Sequence, residues 1–119
     1  MNIEMKKRTA IVREPGVLIT SGSSAMELLA TARYETDCSA IVLFQGQLDE
    51  SFFRLSTGLA GEVLQKFVNY QMKLAIVGDF SSYTSKPLRD FIRESNEGRQ
   101  ICFQPSEEAA LAWLERAGA

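Results

Sequence analysis

Apolar residues fall into short unbroken runs separated by stretches of helical spacing. Ala40 to Phe44 (AIVLF) and Lys73 to Val77 (KLAIV) are apolar runs of strand length, the pattern of strands covered on both faces. Between them Leu59, Val63, Leu64, Phe67 and Val68 follow the three-and-four spacing of an amphipathic helix. Near the start, Ile3/Met5 and Ala10/Val12 alternate around Lys6-Lys7-Arg8, which predicts a β-hairpin over Met1 to Arg13. Pro15-Gly16 marks a turn, and Val17-Leu18-Ile19 predicts a third short strand. Ser24 followed by Glu27 reads as a capping box opening a helix to about Tyr34, with Ala25, Leu28, Leu29 and Ala32 as its apolar stripe. A later helix is predicted from Lys86 to Asn96, with Pro87 in its first turn and Gly98 as its stop. Ile101 to Phe103 reads as a strand. Ser106 caps a last helix, with Glu107 and Glu108 at its positive end and Ala110, Leu111, Leu114 and Ala117 facing inward.

Strands alternating with helices imply parallel pairing and right-handed crossovers. The fold class is therefore α/β, with a mixed sheet, an N-terminal antiparallel hairpin and strand–helix repeats. With no internal repeat and no linker, residues 1–119 read as one domain.

Composition narrows the function classes. A net charge of -2 argues against nonspecific nucleic-acid binding, which needs an excess of Lys and Arg. The apolar runs fall far short of a bilayer span, and the charged N-terminus lacks the apolar core of a signal peptide, so neither membrane nor export is expected and the compartment reads as cytoplasmic. There is no histidine, which removes Ser-His-Asp and Cys-His nucleophiles and Cys/His zinc sites; Cys38 and Cys102 read as reduced core residues, with a disulfide or redox pair as the alternative. Phosphate-loop and dinucleotide-turn motifs are absent, and no cofactor is expected.

Two polar clusters remain. Ser56-Thr57-Gly58 opens the helix after the first buried run, where free backbone N–H groups can hold an anion, and Gly58 and Gly61 keep that end open. The plainer reading is that Ser56 or Thr57 caps the helix and Gly61 allows close packing. Gly78-Asp79-Phe80-Ser81-Ser82-Tyr83-Thr84-Ser85 follows the second buried run, at the end of the sheet where open α/β folds bind ligands. Here Asp79 is a candidate acid, base or ligand if Asp49 or Glu50 converges on it, and Phe80 and Tyr83 are candidate exposed contacts; the alternative is an ordinary turn. Arg54 and Arg99 flank these regions as candidate anion partners. Lys86, Arg89 and Arg93 lie beside Asp90, Glu94 and Glu97 on one helix and read as an ion-paired, solvated face. Phe52, Phe53 and Trp113 read as core, or as a dimer surface if exposed.

The element order resembles the STAS fold, the anti-sigma-factor-antagonist (SpoIIAA-like) fold of bacteria. Leu55-Ser56-Thr57-Gly58-Leu59 sits where that family carries its phosphorylation motif, so the resemblance implies phosphorylation of Thr57, although Leu55 stands in place of the family's acidic residue. The segments TGLAGEVLQKF, KLAIVGDFS and SKPLRDFIRESNEGRQI also resemble a small bacterial family known only as a domain of unknown function. The expectation is thus a single STAS-like domain that is non-catalytic and regulatory, binding a protein partner through the Thr57 helix end and the Asp79–Ser85 loop. Three alternatives accompany it: a binder of a small anionic molecule, an enzyme using Asp79, and a structural homodimer.

Overall fold

The computed structural model describes residues 1–119. The hairpin forms as predicted: β1 (Ile3–Lys6) pairs antiparallel with β2 (Thr9–Val12) across a two-residue turn in which Lys7 takes a positive φ of 56°. Helix α1 (Gly22–Glu35) leads to β3 (Ala40–Phe44), α2 (Leu59–Asn69) to β4 (Lys73–Val77), and α3 (Lys86–Glu97) to β5 (Ile101–Gln104). Helix α4 (Glu107–Arg116) follows. The sheet runs in sequence order, β1-β2-β3-β4-β5, and β2 to β5 are all parallel. The protein is thus α/β, with a five-stranded mixed sheet and four helices. No helix is long and apolar enough to cross a membrane.

The two-residue period of the strands divides the core. Ala10, Val12, Ile41, Leu43, Leu74, Ile76, Ile101 and Phe103 face α1, α2 and α3. The alternate positions, Ile11, Ala40, Val42, Ala75, Val77 and Cys102, face Ala110, Trp113 and Leu114 of α4. Because each strand lies beside its predecessor, right-handed crossovers place the first three helices on one side. The other side falls to α4. Arg13 ties the hairpin to that helix: its guanidinium reaches Glu4 at 2.8 Å and Glu107 at 2.6 Å, and sits 5.8 Å from the Phe44 ring centre.

Several local expectations are corrected. Val17–Ile19 is not a sheet strand. The Leu18 and Ile19 N–H groups both donate to Gln47 O, and the Asp49 N–H donates to Ile19 O, so the segment braces the loop after β3 and makes one isolated bridge. The capping box of α1 starts three residues earlier than expected: Ser21 is the cap and Ser24 its third-position partner. In α4 Trp113 faces inward while Leu111 and Ala117 are half-buried, and Val68 of α2 is exposed. Phe52, Phe53 and Trp113 are all buried, so they form no dimer face.

Candidate functional site

Both polar clusters leave the carboxyl end of the sheet, one after β3 and one after β4, and these strands are neighbours. After β3 the chain makes three short 3-10 turns, Gln45–Gln47, Glu50–Phe53 and Leu55–Thr57. Buried Gln47 fixes the first. Its side-chain amide donates to Val12 O and Glu14 O, while its carbonyl oxygen accepts from the Phe44 N–H at 2.8 Å. Buried polar groups are ordinarily hydrogen-bonded, and this amide makes three bonds to backbone.

Gln45 joins the two loops. Its side-chain oxygen accepts the Asp79 N–H at 3.0 Å, and its Nε2 donates to the Tyr83 hydroxyl at 3.1 Å. That hydroxyl in turn donates to Glu50 Oε1 at 2.9 Å. Gly78 exists to let this pass, because a Cβ there would come within 2.4 Å of Gln45 Oε1. Aromatic rings reinforce the junction. Phe53 stacks on Tyr83 with centroids 5.0 Å apart, and Phe80 meets Phe103 of β5 edge-on at 5.4 Å. Phe80 and Tyr83 are therefore half-buried braces, not the exposed contacts expected of them. Partial burial raises the Tyr83 phenol above its ordinary value, the bond from Gln45 opposes that, and Glu50 adds to the rise.

Asp79 is used within its own turn. It accepts from the Ser81 N–H at 3.0 Å and the Ser81 hydroxyl at 2.6 Å, and these bonds, the hydroxyl first, hold its carboxyl below the usual carboxylate range. Asp49 repeats the device with the N–H and hydroxyl of Ser51, again with a lowered pKa. Each carboxylate is thus satisfied by its own serine, and no group of three potential ligand side chains is present. A carboxyl stabilised as the anion is a weak base and a poor proton donor near neutrality. No surface hollow reaches Asp79 or Thr57.

The Thr57 hydroxyl faces the backbone. Its oxygen lies 2.7 Å from Ser51 O and 2.8 Å from Arg54 O, to one of which its single proton is donated, and it accepts from the Leu59 N–H at 3.3 Å. The N-cap of α2 is Gly58, with φ 81° and no side-chain bond, so neither Ser56 nor Thr57 is the N-cap residue itself. Ser56, Ser82 and Thr84 are exposed, and Gly61 opens onto free space rather than a packed neighbour. Arg54 lies close enough to Asp49 to contribute to its lowered pKa. Arg99 does not belong here. It precedes β5, at the amino end of the parallel strands, where its carbonyl accepts from Lys73 Nζ. The α3 face is ion-paired as expected, Asp90 meeting Lys86 at 2.6 Å and Arg93 at 3.3 Å.

Sequence reading missed Gln45, and it named Glu50 only as a carboxylate that could converge on Asp79, whereas Glu50 accepts from the Tyr83 hydroxyl. The signal it could have used is the recurrence of Asp-x-Ser after two consecutive buried strands, at Asp49–Ser51 and Asp79–Ser81. The result is a hydroxyl-rimmed surface carried by two hydrogen-bonded loops, with a hollow beside Thr84 lined by Lys86, Arg89, Asp90 and Arg93. Residues 4–114 match the family model described as domain of unknown function DUF4180, and the chain belongs to that family. Comparison with curated proteins and with solved structures gives no match.

Proposed function

We propose that this is a STAS-like, non-catalytic partner-binding protein of the bacterial cytoplasm, and that it meets a protein partner with the surface formed by the Ser56–Gly58 turn and the Asp79–Ser85 loop. The observation that carries the reading is the Gln45–Tyr83–Glu50 linkage, which locks two neighbouring loops into one surface before any partner arrives. Preorganisation of this kind lowers the ordering cost of association. The exposed hydroxyls of Ser56, Ser82 and Thr84 suit a polar interface rim, and the hollow that borders the loop at Thr84 is lined by α3 side chains and does not include Asp79. The anion-binding alternative loses Arg99 to the far end of the sheet and keeps only Arg54. Phosphorylation of Thr57 would first have to free a hydroxyl that donates to the Ser51 or Arg54 carbonyl.

The test is a photo-crosslinking amino acid placed at Ser56 or Ser82, with a control at Glu108 on α4, in living cells. A discrete protein adduct from the first two positions and none from the control is expected. Adducts from all three positions, or from neither loop, would sink the proposal.

A further inference from the structure

The two edges of the sheet are treated differently. At β5 a side chain occupies part of the edge: the Asn96 oxygen accepts the Phe103 N–H at 2.7 Å, and the Trp113 ring N–H, donating to Asn96 O at 3.0 Å, steadies that residue. At β1 nothing covers the edge. The Arg13 N–H donates to Asn2 O, so Asn2 and Arg13 form a hydrogen-bonded pair. The antiparallel ladder then alternates. Glu4 and Lys6 turn their backbone groups toward β2, while those of Ile3 and Met5 point out of the sheet. Met5 is also 38% exposed, high for a large apolar side chain on a strand. An edge of this kind is a template for another strand.

We infer that β1 pairs antiparallel with β1 of a second copy, extending one continuous sheet through a two-fold axis at Met5. The direction of the free backbone groups and the charges on the strand choose both partner and register. Because only Ile3 and Met5 offer outward groups, the pairing can shift only in steps of two. One register sets Glu4 against Glu4, and another sets Lys6 against Lys6. Both oppose like charges, which destabilises cross-strand neighbours. The register between them puts Met5 opposite Met5, its N–H and C=O exchanged across the axis, and sets Glu4 of each copy opposite Lys6 of the other. That second pair falls at a non-hydrogen-bonded site, where side chains approach closest.

Edge lysines ordinarily repel a second strand. On this strand a carboxylate two residues away on the same face turns that repulsion into attraction between identical copies. The side chains are also available for it. Arg13 bonds Glu4 through Oε1, while Oε2 lies 3.9 Å from Lys6 of its own strand, a long contact. The positive φ at Lys7 ends the pairing there, so the interface is short. Its area falls below the ~1,000 Å² of a permanent complex, and the dimer is weak.

The experiment is sedimentation equilibrium of the chain without an N-terminal tag, from about 10 µM to about 1 mM, a range that brackets weak association. The native chain should show a monomer–dimer equilibrium. Lys6→Glu and Glu4→Lys should each weaken self-association by about tenfold or more, since each replaces two attractive cross-strand pairs by repulsive ones. Mixing the two variants should restore a dimer, because the charges are then complementary between unlike chains, and an unfolded variant could not give that rescue. Met5→Pro removes an outward N–H that β2 does not use, and should abolish the dimer while leaving the circular dichroism spectrum unchanged. A native chain that stays monomeric throughout, a dimer indifferent to these substitutions, or variants that fail to recombine would each overturn the proposal.

Discussion

At the scale of single residues, the side chain that organises the candidate surface is an amide with no sequence signature. Gln45 follows directly on an apolar run, and nothing in periodicity distinguishes it from any other loop glutamine. Its role depends on Asp79 and Tyr83, more than thirty positions away. Asp79 was legible as a loop carboxylate, but only the geometry with Ser81 shows that its charge is spent locally. Tyr83 gives the sharpest test. Tyr83→Phe should cost about 1 kcal/mol in denaturant unfolding, the usual net worth of a hydroxyl's bonds. The phenol is held above its ordinary value near 10, so its contribution is fully present below that value and is lost as pH rises through the folded-state pKa. Native protein should therefore lose stability above about pH 10 more steeply than the Phe variant, and parallel pH profiles would contradict this assignment.

At the scale of elements, the strands and helices were legible wherever one period ran without interruption. β3, β4 and α3 begin where the pattern places them, with Pro87 and Gly98 bracketing α3 as expected. The failure at Val17–Ile19 has a physical cause: three apolar residues after a turn look like a strand, but the neighbour that takes their hydrogen bonds is a loop carbonyl, Gln47 O, rather than a sheet. The glycines of α2 were harder still. Gly58 needs its positive φ, whereas Gly61 has open space around its Cα and an ordinary backbone conformation. Gly61→Ala should therefore stabilise the protein by up to about 1 kcal/mol, and Gly58→Ala should destabilise it by about 1–2 kcal/mol. Thermal melts of the two variants should move in opposite directions. A loss of stability in Gly61→Ala would mean that the position is crowded after all.

At the scale of the molecule, the two faces of the sheet are unequally defended. Three helices share one face, and the other rests on α4 alone. Trp113 carries much of that burden. It is 7% exposed, it packs in the cluster with Val42, Ala75 and Cys102, and its ring N–H anchors α4 to the end of α3. Trp113→Ala should cost about 3–5 kcal/mol. The same variant should open the Cys102 thiol, which burial pushes up to about 12 in the intact protein, to alkylation under native conditions. Continued protection of Cys102 in that variant would mean that the second face does not depend on α4.

That dependence has a consequence for how the protein comes into being. During synthesis β2, β3 and β4 are made well before α4, and β5 immediately before it. Until α4 docks, Ile11, Val42, Ala75 and Cys102 have no cover. The nascent chain thus passes through a half-finished state with one greasy surface showing, the condition in which newly made chains aggregate or recruit chaperones. Docking of α4 is therefore the step that closes the second face of the sheet.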